Sequence, residues 1–136
     1  MISYEARCRI HNIKWISIMS KEAYILDVVK WLEKRGFEEI KANVEGYETP
    51  VGYALNTDEE KYIPDVTGRL FSENSYFEVV LKTDKVSRTI SKLRLLSTLA
   101  AAKGGKLFLM TPRGHFNFAK DIALQHQIHA EVIKIA

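Results

Sequence analysis

At 136 residues, 46% of them hydrophobic, the chain is sized for one compact domain with a layered core and is short for two. Its 20 basic and 17 acidic residues leave a net charge of +3, which permits an anionic partner without demanding one. A single cysteine, Cys8, excludes an internal disulfide and suits a reducing compartment, and neither a secretory leader nor an apolar run of membrane-spanning length is visible. A cytoplasmic location is therefore expected.

Residues 1–18 alternate loosely, with Ile10, Ile13, Trp15, Ile16 and Ile18 among basic and polar neighbours. They read as an N-terminal extension or an extra strand ahead of a single domain over residues 19–136. Ser20 is placed to cap a first helix whose apolar positions Tyr24, Ile25, Val28, Val29 and Leu32 recur at helical spacing, and Gly36 is suited to end it. Phe37 to Val44 suits a strand, and Gly46 to Asp58, rich in turn formers, suits a hairpin-like excursion. Lys61 to Leu70 and Tyr76 to Lys82 read as the second and third strands, joined by a turn over Gly68 to Ser75. Pro64 has no N–H to give to a ladder, so it implies a bulge or strand edge beside Asp65.

Thr83 or Asp84 would cap a long helix through Ala102, with Val86, Ile90, Leu93, Ser97 and Ala100 on one side and Gly104-Gly105 at its end. Leu107-Phe108-Leu109-Met110 reads as a strand buried on both faces and, being entered by a helical crossover, parallel to its neighbour. After the turn Pro112-Arg113-Gly114, a helix from Phe116 to Gln127 and a strand from Ala130 to Ile135 complete the order α, β, β, β, α, β, α, β.

The chemistry sits in Tyr62-Ile63-Pro64-Asp65 and in Phe77-Glu78-Val79-Val80-Leu81-Lys82. Carboxylates on neighbouring strands can hold a hard cation such as Mg²⁺, and a lysine on the same side can orient water or offset developing charge. Side chains alternate with a period of two, so Glu78, Val80 and Lys82 are expected to share a face. Lys85, Arg88, Lys92 and Lys103 form a basic stripe on the long helix, and Arg113 follows a strand in a loop; both suit contact with phosphates. Neither a serine-hydrolase nucleophile motif, a P-loop nor a dinucleotide fingerprint is present.

These motifs, and the order of elements over residues 20 to 136, resemble the PD-(D/E)xK nuclease superfamily. The resemblance implies a three-layer αβα fold with a central mixed sheet and a restriction-endonuclease-like core. Pro64-Asp65 matches the family's PD and Lys82 its lysine, but Val80 stands where the second acid belongs. Glu78 lies two residues further back, giving E-x-x-x-K, a displacement of about 7 Å along a strand. The implied activity is hydrolysis of nucleic-acid phosphodiesters with Mg²⁺ or Mn²⁺. Asp65, Glu78 and a helical acid at Glu22 would hold the metal, and Lys82 would position the nucleophile. Relatives often carry a further Gln or Lys on the long helix, for which Lys92 is the best match and Arg88 the next. DNA is the expected partner, a homodimer is common among similar nucleases, and no membrane is involved. The alternative reading is a non-catalytic nucleic-acid-binding or protein-assembly module that keeps the nuclease fold.

Overall fold

The computed structural model describes residues 12–54 and 61–135, with side chains from residue 21 onward. Of the segment read as an extension or extra strand, residues 1–11 lie outside this range. The remainder is helical, because helix α1 spans Asn12–Lys34 and takes Ser20 into its interior instead of using it as a cap. Neither Gly nor Pro occurs between Asn12 and Lys34, so nothing in the backbone chemistry stops the helix before Gly36. There the chain turns left-handed, at φ +81°, and the Phe37 amide donates back to the Leu32 carbonyl at 3.2 Å.

Among the described residues seven strands follow: β1 (Glu38–Ala42), β2 (Tyr53–Ala54), β3 (Lys61–Tyr62), β4 (Val66–Leu70), β5 (Glu73–Val79), β6 (Leu107–Thr111) and β7 (Glu131–Lys134). Helix α2 (Val86–Ala102) connects β5 to β6, and helix α3 (Phe116–Gln125) connects β6 to β7. Five of the strands form a mixed sheet in the order β1-β4-β5-β6-β7; β4 runs antiparallel to its neighbours β1 and β5, and β5, β6 and β7 run parallel. The expected second strand is split in two. Pro64 cannot donate to a ladder, and the chain leaves the small β2–β3 ribbon there to enter the main sheet at Val66.

The β4–β5 turn is tighter than expected. Gly68 and Ser75 pair within the ladder, and the turn falls on Phe71 and Ser72, at φ +51° and +71°. Two positive φ values match the right-handed twist of the strands, at the cost of left-handed backbone in residues with side chains. Gly68 serves close packing, since a Cβ there would lie 3.4 Å from the Phe37 ring.

Alternation along β5 divides the core. Phe77, Val79 and Leu81 pack with Ile25, Val28, Val29 and Leu32 of α1, whereas Tyr76 and Val80 pack with Leu93, Leu96 and Ala100 of α2 and with Ala119 and Ile122 of α3. Helices thus cover both faces, α1 on one and α2 with α3 on the other. The β2–β3 ribbon is held to α2 by Lys103 Nζ, which donates to Tyr53 Oη at 2.9 Å, and by Arg88, whose guanidinium lies 4.9 Å from the Tyr62 ring centre.

Gly104 ends α2 in left-handed backbone at φ +73°, and Gly105 donates to the Ala100 carbonyl at 2.8 Å. A side chain on Gly105 would collide with the Asn74 carbonyl of β5. Gly105→Ala should therefore cost about 2 kcal/mol or more, since backbone must move to admit the methyl group. Urea unfolding checks this; a midpoint equal to wild type would mean that the α2–β6 turn is free to shift.

Candidate active site

Extending the register Val66↔Phe77 by one residue sets Asp65 opposite Glu78, where β4 begins and β5 ends. Both acids are buried, at 3% and 4% exposure, in a chain whose other buried residues are almost all apolar. Each carboxylate is fixed by the other's strand. The Asp65 amide donates to Glu78 Oε1 at 2.9 Å, and the Val79 amide donates to Asp65 Oδ2 at 2.9 Å. The Asp65 carbonyl in turn accepts from the Asn43 amide at 2.8 Å, which ties the site to the continuation of β1. The remaining oxygens, Asp65 Oδ1 and Glu78 Oε2, both face Lys92 Nζ from α2, the first at 3.9 Å and the second in direct contact. Lys21, from α1 on the opposite face, brings its Nζ to 3.6 Å from Asp65 Oδ2.

Although Glu78 lies two residues before the position held by Val80, its carboxylate and that of Asp65 share one ammonium group. Lys82 does not join them. Strand β5 ends at Val79, so the alternation does not carry to Lys82, which is exposed on the following turn with its amide donating to His115 Nδ1 at 2.9 Å. Val80, on the same side as Glu78, is fully buried in the cluster that holds Leu93 and Leu96 and fills the position two residues beyond the acid with hydrocarbon. Among the described residues, the ammonium groups within ion-pair distance of the two carboxylates are those of Lys92 and Lys21.

Glu22 is exposed, while the helix directs Lys21, one position earlier, to the carboxylates. Lys85, Arg88 and Lys92 line one cleft of about 130 Å³ together with Lys21, Glu78, Val79, Asp84 and Thr89. Arg113 lines a different hollow, with Pro112, Asn117 and Lys134 beyond the ends of β6 and β7. Asp84 does not cap α2; its Oδ2 accepts from the Leu81 amide at 3.0 Å, and the helix starts beyond Lys85 without a side-chain cap. Sequence reasoning gave Lys21, Asp84 and Thr89 of this cleft no part in the site. Lys21 was detectable, since it precedes Ile25, Val28 and Leu32 at the spacing of one buried helical face.

Burial of Glu78, together with the neighbouring Asp65 charge, pushes its carboxyl up to about 7 against the opposing pull of Lys92 and Lys21. Burial alone would favour a neutral Lys21, but Asp65, Glu78 and Asp84 outweigh it and hold the ammonium above its ordinary value. Because the folded chain retains the Glu78 proton that the unfolded chain releases, this group's contribution is complete below its ordinary value of 4.5 and is lost as pH rises to about 7. In metal-free buffer, the stability of wild type relative to Glu78→Gln should fall by on the order of a few kcal/mol between these limits. Urea titrations at both ends of the range test it; a difference independent of pH would exclude the raised value.

Among the described residues, no three His, Cys, Asp or Glu side chains converge as a metal-binding group, and no helix is long and apolar enough to cross a membrane. Two carboxylates nevertheless fit Mg²⁺, which is commonly held by one or two of them with water and substrate phosphate completing its shell. Comparison of the chain with protein-family models, with curated proteins and with solved structures finds no match.

Proposed function

We propose that this chain is a divalent-metal-dependent nuclease of the PD-(D/E)xK type with a restriction-endonuclease-like core, in which Lys92 of α2 takes the part of the strand lysine. The observation that carries this reading is the convergence of Asp65 Oδ1 and Glu78 Oε2 on a single cationic group, with the other oxygen of each acid held by a backbone amide. Buried acids whose free oxygens share one cation form a template for a metal ion. The antiparallel β4–β5 pair, the parallel β6 reached through α2, and helices on both faces also support it.

Asp65 and Glu78 would hold Mg²⁺ or Mn²⁺. When bound, such an ion lowers the pKa of an attacking water and stabilises the leaving oxygen. Lys92, at the cleft wall, would orient the nucleophile or neutralise the reacting phosphate, and Lys21 would balance Asp65 from the other side. Lys85 and Arg88 lie where adjoining phosphates of a DNA strand would pass. The cleft is smaller than the roughly 300 Å³ at which small-molecule pockets begin, so it suits a single phosphodiester with its nucleosides outside.

Incubation of the purified protein with single-stranded, duplex and branched DNA, and with RNA, in Mg²⁺ or Mn²⁺ tests the reading; cleavage should stop on chelation. The charge balance of two acids against two lysines favours a second reading, a non-catalytic nucleic-acid-binding module. Salt-sensitive binding indifferent to chelation, with no cleavage of any substrate, would select it.

A further inference from the structure

The two oxygens through which a metal ion would be held are already engaged by an ammonium group. Lys92 is not a passing surface contact: its side chain is 16% exposed, anchored on α2 beside the buried Leu93, and it touches Glu78 and pairs with Asp65 at 3.9 Å. A divalent ion entering alone would have to displace that ammonium into a cleft already carrying Lys21, Lys85 and Arg88, and would leave a dication and two lysines around two carboxylates. A phosphodiester entering with the ion removes both objections. It gives the displaced ammonium an anionic partner, and it supplies oxygen ligands that two carboxylates cannot.

We propose that Lys92 is the built-in counter-ion of the acid pair, and that metal and phosphodiester are taken up together as its ammonium passes from the carboxylates to the phosphate. This rests on the nuclease reading and specifies how that site is regulated. It binds metal poorly until nucleic acid is present. Linkage makes the effect reciprocal, so nucleic acid raises metal affinity by the same factor as metal raises nucleic-acid affinity.

The test is a Mn²⁺ titration of chelator-cleared protein, followed by the paramagnetic resonance of the free ion. It is run at about pH 8, above the range in which Glu78 exchanges its proton, with and without a short phosphorothioate DNA duplex whose own Mn²⁺ uptake is subtracted. Wild type should bind the ion on the order of ten-fold more tightly with the duplex than without. Lys92→Met should bind it without the duplex about as tightly as wild type does with it, and gain little more from the duplex. Thermal unfolding establishes that the variant is folded; should it not be, the two wild-type titrations decide by themselves. If wild-type affinity ignores the duplex while Asp65→Asn abolishes uptake, the coupling is overturned and the metal site stands. If neither wild type nor Lys92→Met takes up Mn²⁺ under any condition, the nuclease reading falls and the coupling with it.

Discussion

Asp65→Asn should lower Mg²⁺-dependent cleavage of nucleic acid by at least about a hundred-fold, the scale on which loss of a charge-stabilising group at a reacting centre is felt. Asparagine keeps the size of the side chain and can still accept the Val79 amide through its one carbonyl oxygen, so the sheet edge is largely preserved. What disappears is the negative charge shared by Lys21 and Lys92. Binding of the same nucleic acid in chelator should not weaken, because the substitution removes an anion from a cleft lined by Lys21, Lys85, Arg88 and Lys92. Glu78→Gln should behave alike. Lys82→Ala should leave the rate close to wild type, since its side chain stands clear of both acids, whereas Lys92→Met should lower it. Initial rates with a labelled duplex separate these cases; undiminished cleavage by Asp65→Asn would remove this acid from the chemistry.

Phe77→Ala should destabilise the fold by about 3–5 kcal/mol, the range for emptying a buried aromatic site. Its ring is fully buried between the sheet and α1, stacked 4.9 Å from Phe108 and packed edge-on 5.4 Å from Phe37, with Trp31 at 6.5 Å. The loss is a large share of the roughly 5–15 kcal/mol by which small domains are stable. The residue also adjoins Glu78 on β5, so the cavity lies beneath the strand that carries the site. A urea midpoint within error of wild type would show that α1 can collapse onto the vacated space.

The helices and inner strands were legible in the sequence because each carried its own signal. Tyr24 to Leu32 showed helical spacing, Gly36 and Gly104-Gly105 marked ends, and Leu107 to Met110 was a short apolar run of the kind only a doubly covered strand requires. Asp65 and Glu78 were legible as an acid after Pro and an acid in an apolar strand. What failed was extrapolation past a strand's end. The alternation that sets Val80 and Leu81 on opposite faces stops at the turn that holds Lys82, where the Asp84 side chain accepts the Leu81 amide. Pairing register, which brings Asp65 and Glu78 opposite each other, is a property of two strands and is written in neither alone. The start of α1 was misjudged because a good capping residue, Ser20, says nothing about whether the preceding turns are also helical.

The reciprocal amide bonds between Asp65 and Glu78–Val79 make the acid pair a latch on the open end of the hairpin, remote from its Phe71-Ser72 turn. Fraying of that end would disarm the acids and unzip the strands in a single motion. Hydrogen exchange at the Asp65 and Val79 amides therefore reads the integrity of the centre directly, without substrate or metal.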